Sequence, residues 1–195
     1  MVAPGKSRPE RRKSSVSERH RCALRGVTLV RDALESDMAA VREVYAHYVL
    51  HSLATFEETP PTLDDMLARR RASVDLGLPY LVAEAGGVVA GFAYASLYRS
   101  RPAYRYAIED SVYVADGQTG RGIGSALLGE LIVRCERGPW RQILAVVGDS
   151  ANSGSIALHL RFGFELAGTL RSVGFKHERW IDTPILQRAL GPPKP

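Results

Sequence analysis

Apolar residues change their spacing several times along this 195-residue chain, and each change marks an element. Residues 27–31, Val-Thr-Leu-Val-Arg, read as a first strand. Beyond them Met38, Val41, Val44, Tyr45, Tyr48 and Val49 recur at three- and four-residue steps, which is one side of a helix, with Ser36 or Asp37 placed to cap it. Thr62 opens a second helix, with Asp65 at the reciprocal capping-box position and Leu63, Met66 and Leu67 as its apolar stripe. The loop 53–61 between them carries Phe56, Glu57 and Glu58. Residues 80–84 and 88–94 read as strands joined through Gly86-Gly87, a hairpin turn. A connection over 96–106 then leads to a strand at 107–114. A helix over 125–135, a strand at 142–147, a helix around 153–162 and three short strands ending at 188 complete the pattern. Strands alternating with helices predict an α/β fold, and no internal repeat interrupts it.

Composition changes this picture little. At 45% apolar and 24% charged the chain is able to bury a core, so residues 27–190 are expected to form one domain, followed by a short tail at 191–195. No apolar run reaches the length of a bilayer span. The net charge of +5 is a property of residues 1–26, where eight Lys or Arg stand against Glu10 and Glu18. That segment reads as a disordered basic tail, and without it the body is close to neutral, which removes the case for a nucleic-acid partner. Cys22 and Cys135 are too few for a disulfide framework and suit a reducing cytoplasm. His47 and His51 have the spacing of a zinc helix, but Tyr48 follows His47 where a zinc peptidase needs Glu and no third ligand is apparent, so no metal is expected.

Candidate chemistry begins at residues 118–124, Gln-Thr-Gly-Arg-Gly-Ile-Gly, between an apolar strand and a helix. Amides at a helix mouth lack partners within the helix, the helix dipole adds positive potential, and glycines let an anion come close. Taken alone, such a turn also serves as a plain helix cap. Its spacing is wrong for the dinucleotide pattern Gly-x-Gly-x-x-Gly, and a P-loop's Gly-Lys-Ser/Thr is missing. The turn resembles the acyl-CoA pyrophosphate loop of the GCN5-related N-acetyltransferases, Gln/Arg-x-x-Gly-x-Gly/Ala, with Thr119 where Gln or Arg is usual and Gln118 one place early. The resemblance implies a mixed sheet splayed at its middle strands with acetyl-CoA wedged into the splay. It assigns the pyrophosphate to Thr119, Gly120, Arg121, Gly122, Ile123, Gly124 and Ser125, and the pantetheine arm to the backbone of Val112, Tyr113 and Val114.

A second segment, 152–164, resembles the family's Asn-x-x-Ala-x-x-Leu-Tyr-x-x-x-Gly-Phe. It implies that Asn152 binds the pantetheine arm and that His159 takes the place of the tyrosine that protonates the departing thiolate; a histidine there could instead orient a water or the substrate. Glu109 to Val114 and Gly174 to Asp182 (Gly-Phe-Lys-His-Glu-Arg-Trp-Ile-Asp) are similar to segments of the phosphinothricin and methionine sulfone or sulfoximine N-acetyltransferases. An α-amine is mostly ammonium at neutral pH and must lose a proton before attack, which makes Glu109 the expected base. Asp110 points to the opposite face of the strand and is the poorer candidate. An N–H near Val112 or Tyr113 would hold the oxyanion. Arg99, Arg101 and Tyr104 suit an acceptor with a carboxylate and a second acidic oxygen, Phe56 would close the pocket, and Lys176 and His177 join the substrate side. The expected protein is a cytoplasmic acetyltransferase for a small amino-acid-like amine, with no nucleic-acid or membrane partner, and by resemblance a homodimer. Acetylation of protein N-termini and non-catalytic acyl-CoA binding are the alternative readings.

Overall fold

The computed structural model describes residues 28–191. The expectations for residues 1–26, Cys22 included, and for the last four residues lie outside that range. In chain order the elements are β1 (Leu29–Asp32), α1 (Met38–His51), α2 (Leu63–Asp75), β2 (Tyr80–Ala85), β3 (Val88–Leu97), β4 (Ala107–Val114), α3 (Ile123–Glu136), β5 (Gln142–Val146), α4 (Ser153–Arg161), β6 (Glu165–Lys176) and β7 (Arg179–Ala189). The seven strands form one sheet in the order β1-β2-β3-β4-β5-β7-β6, antiparallel except where β4 runs parallel to β5.

Helices cover both faces, which explains why β2 is a continuous apolar run and not an alternating one. Leu81 and Ala83 of β2 point to the face covered by α3, whose Leu127, Leu128 and Leu131 are fully buried. Tyr80 and Val82 point to the other face, where they meet Phe92, Tyr113, the α1 residues Met38, Val41 and Tyr45, and Met66 of α2. Each large side chain buried in these layers contributes about 1.5–3 kcal/mol. Gly91 fixes how close α3 comes to the sheet, since a Cβ there would lie 2.7 Å from Tyr113 O and 3.2 Å from Ile123 Cγ2. The start of α3 is thereby pressed against the end of β4, beside the glycine loop.

Three local expectations change. Asp37 does not cap α1. A 3-10 turn, Glu35–Asp37, precedes the helix, and the Asp37 carboxylate accepts the Leu34 N–H at 2.7 Å and pairs with Arg31 at 2.6 Å. Strand β3 continues to Leu97, paired with Ile108, so the connection before β4 is shorter than the polar residues suggest. The three short strands at the end are two long ones. They turn at His177 and Glu178, both left-handed with φ of 48° and 58°. Between Leu170 and Gly174 β6 carries a bulge, held by Asp182, which accepts Ser172 N–H at 2.9 Å and Arg171 Nη1 at 2.8 Å. The capping box at Thr62 and Asp65 forms as expected, as does the hairpin at Gly86 and Gly87, where both glycines take φ > 0.

Candidate active site

The site begins where two strands part. β4 pairs with β5 from Ala107 opposite Gln142 to Asp110 opposite Ala145, and then pairing stops. A cleft of about 570 Å³ opens from that apex, lined by Val112 and Val114 on one side and Val146, Val147 and Gly148 on the other. Backbone direction in β4 follows from its bonds to β3. Ala115 N–H donates to Ala90 O and Ala107 O accepts from Tyr98 N–H, so odd-numbered peptide groups face β3 and even-numbered ones face β5 or the cleft. Val112 and Val114 therefore present N–H and C=O to the cleft. Tyr113 does not: its backbone is aligned with Phe92 on β3 and its ring is buried among Tyr45, Tyr48 and Phe92, which corrects the expectation that all three residues offer their backbone to a ligand.

The far end of the cleft is the glycine loop. Gly117, Gly120 and Gly122 are left-handed, with φ of 70°, 75° and 82°, and Gly122 is the N-cap of α3 without any side chain capping it. The first amides of α3 are thus left without side-chain partners, and Thr119, Gly120, Gly122, Ile123, Gly124 and Ser125 all line the cleft. At Gly124 a Cβ would lie at ordinary contact distance, 3.4 Å from Leu158 Cδ2 and 3.6 Å from Val114 Cγ2, so the head of α3 packs directly against both side chains. Arg121 is outside this lining. Its guanidinium bonds Gln118 Oε1, and it is Gln118, one position before the family's usual place, that faces the cleft. The donors fit a diphosphate: amides without a side-chain cap, glycines at 120, 122 and 124, and Arg161 of α4 in the same lining. Asn152 caps α4, accepting Ser155 N–H at 3.2 Å through Oδ1, so the group it leaves for a ligand in the cleft is its amide nitrogen.

At the apex lies a buried pair. His159 Nε2 bonds Asp110 Oδ2 at 2.9 Å, with side chains 5% and 1% exposed, and His159 Nδ1 lies 2.7 Å from Ser155 O. Burial alone would lower the imidazole pKa, but the Asp110 hydrogen bond and charge, with the Ser155 carbonyl, outweigh it and leave the pKa raised. Both ring nitrogens are committed. The expected role of His159 as proton donor to a leaving group is therefore corrected, since that job needs a nitrogen free to face the sulfur. The pair instead ties β4 to α4 at the point where β4 and β5 separate.

Glu109 stands on the other face of β4 from Asp110, as strand alternation requires. Its carboxyl is pushed up to about 7, first by burial and then by the charge of Asp110, with Arg99 opposing. Arg99 sits over the rings of Tyr98 at 5.0 Å and Tyr104 at 5.9 Å, so the basic and aromatic residues of the connection form one cluster beside Glu109. Arg101 is exposed at the start of the 3-10 turn Pro102–Tyr104.

Residues 41–164 match the Acetyltransferase (GNAT) family. The chain belongs to that family. As a GNAT acetyltransferase it is 53% identical to the phosphinothricin N-acetyltransferase of Alcaligenes faecalis over 87% of this chain and 84% of that protein. It is 38% identical to the L-methionine sulfoximine/L-methionine sulfone acetyltransferase of Salmonella typhimurium, over 83% of this chain and 94% of that one. Among solved structures, the phosphinothricin acetyltransferase of Sinorhizobium meliloti in complex with AcCoA superposes with a TM-score of 0.81 at 47% identity, covering 84% of this chain and 89% of that chain.

In this acetyltransferase two residues expected on the substrate side lie elsewhere. Lys176 is 2% exposed, and its Nζ donates to Ser52 O at 2.9 Å and Thr55 O at 2.8 Å, so it straps the loop after α1 to β6. His177 is exposed in the β6–β7 turn. Phe56 lies against Gly174, where a Cβ would come within 2.5 Å of its ring, and Glu57 is held by Arg69 at 2.7 Å and Tyr45 at 3.0 Å. The loop carrying Phe56 and Glu57 is thus clamped from three sides. Sequence reasoning missed Tyr48, Gln118 and Arg161 as cleft residues. Only Gln118 carried a signal, as the displaced Gln of the loop pattern.

Proposed function

We propose that this acetyltransferase moves the acetyl group of acetyl-CoA to the amine of a small amino-acid-like acceptor of the phosphinothricin or methionine sulfone type, by direct attack while both are bound. The observation that carries this reading is Glu109, a half-buried carboxyl with a pKa of about 7 next to the open edge of β4. A base is most effective when its pKa lies near the working pH. Glu109 takes a proton from the bound ammonium, the freed amine forms its bond to the thioester carbon, and the C–S bond breaks to release CoA thiolate, which takes up the second proton that the nitrogen loses as the amide forms. The Val112 N–H, directed into the cleft, is the donor suited to the developing oxyanion. Thiols titrate near 8.5, so the thiolate leaves without a dedicated acid, in keeping with the committed nitrogens of His159. Holding both reactants together supplies proximity, and the buried Cys135, its thiol pushed up to about 12 chiefly by burial, is unsuited to a covalent route.

The names of the similar enzymes support the acceptor class, and so does the cluster of Arg99 with Tyr98 and Tyr104, which suits an acidic group on a small ligand. We assign the finer features on the same footing. The chain acts in the cytoplasm without a metal and as a homodimer, an arrangement favoured by the exposed apolar side chains Leu166, Leu170, Val173, Phe175 and Trp180 on β6 and β7. No helix among the described residues is long and apolar enough to cross a membrane. Release of free thiol from acetyl-CoA, measured against phosphinothricin, methionine sulfone, methionine sulfoximine, ordinary amino acids and peptides, tests the reading. Turnover is expected with the first three. Turnover confined to peptides, or none with any amine, would refute it.

A further inference from the structure

One side chain already occupies peptide groups that the parted strand β4 offers to the cleft. The Tyr48 hydroxyl on α1 donates to Val114 O at 2.8 Å and accepts Val114 N–H at 3.3 Å. Both residues line the cleft. The ring is steadied by edge contacts with Tyr113 at 5.1 Å and His47 at 5.9 Å, and burial raises the phenol pKa, so the hydroxyl stays protonated and keeps its donor. A single hydroxyl thereby does for Val114 what β5 does for Ile108 and Asp110, satisfying an N–H and a C=O that would otherwise lack a partner. Val114 lies between the glycine loop, where a diphosphate fits, and Val112 near the apex. An amide-containing arm reaching from one to the other must pass Val114 and finds its peptide groups taken.

We propose that Tyr48 is a competing latch on the acyl-carrier arm: its hydroxyl holds Val114 when the cleft is free, and the arm's own amides displace it on binding. This rests on the reading that acyl-CoA occupies the cleft, and it adds a function for a residue outside the catalytic chemistry. A ligand that must break two bonds to make two binds more weakly than one meeting open groups. The same latch, by closing again, helps expel the arm of the CoA product.

Calorimetric titration of wild type and Tyr48→Phe with acetyl-CoA, CoA and adenosine 3′,5′-bisphosphate tests this. The substitution keeps the ring packed between Tyr113 and His47 and removes only the hydroxyl. Tyr48→Phe is expected to bind acetyl-CoA and CoA about three- to tenfold more tightly, with product inhibition by CoA strengthened to match. Affinity for the bisphosphate, which has no arm, is expected to stay the same. The Val114 amide in the free protein is expected to exchange faster in Tyr48→Phe than in wild type, and to be protected in both once acetyl-CoA is bound. Equal or weaker binding of acetyl-CoA by the variant would overturn the latch, as would an equal change with the armless nucleotide. Failure of wild type to bind acetyl-CoA at all is a different result, and would strike the cleft assignment itself.

Discussion

Replacing Asp110 by Asn tests the apex of the cleft. The substitution keeps the shape of the side chain and removes the charge facing His159 Nε2 across 2.9 Å, in a place where the two side chains are 1% and 5% exposed. A buried hydrogen bond to a charged group is worth about 1.5–3 kcal/mol, while orphaning one member of a buried pair costs about 3–5 kcal/mol. Asn still offers a neutral partner, so a loss of about 2 kcal/mol is expected. For a domain of this size that lowers the melting temperature by about 4–8 °C. The loss should depend on pH in one direction. The folded-state pKa of His159 is raised above its ordinary value of 6.5, so the charged pair stabilises fully below that value and its contribution fades as pH rises through the folded pKa. Urea unfolding of wild type and Asp110→Asn at several pH values between 6 and 9 reads this directly. The gap is expected to be widest at pH 6 and to narrow toward pH 9. A constant gap, or a variant as stable as wild type throughout, would refute the argument that a protonated His159 pairs with Asp110.

Other consequences follow from the same geometry. With Glu109 held at about 7, kcat/KM for the amine should fall on the acid side of neutrality as the base becomes protonated, and a profile flat from pH 5.5 to 8 would exclude Glu109 from proton transfer. Lys176→Met removes both bonds to the Ser52 and Thr55 carbonyls and frees the loop bearing Phe56. We expect about 2 kcal/mol lower stability and a raised KM for the amine with acetyl-CoA affinity unchanged; a loss of acetyl-CoA affinity alone would contradict the strap. Gly122→Ala must place a Cβ residue at φ of 82°, at a cost of about 1–2 kcal/mol, and acetyl-CoA affinity should drop with it; calorimetry showing wild-type affinity would argue against the loop as the diphosphate seat.

The fold was readable because its signals are local. Thr62 with Asp65, the Gly86-Gly87 turn and the apolar steps from Met38 to Val49 each act within a few residues, and each formed as the spacing required. The terminal strands were misread because the Asp182 carboxylate, ten residues away in sequence, absorbs the irregularity at Ser172 into one continuous strand. The glycine loop was legible for the same local reason, since left-handed backbone at Gly120 and Gly122 is a property of the residues themselves. What escaped were side chains whose partners lie far along the chain. Lys176 meets Ser52 and Thr55 across 124 and 121 positions, and Tyr48 meets Val114 across 66. The resemblance of residues 174–182 marks Lys176 as a substrate-side candidate, but only the three-dimensional neighbours reveal that backbone carbonyls already hold its ammonium.

Turnover and acetyl-CoA affinity of Glu109→Gln, measured side by side with wild type, test the central claim most directly. Glutamine has nearly the same shape but cannot accept the ammonium proton, so the rate of acetyl transfer should fall by about 10²- to 10⁴-fold while the calorimetric affinity for acetyl-CoA remains that of wild type. A variant that acetylates the amine at the wild-type rate would contradict the account.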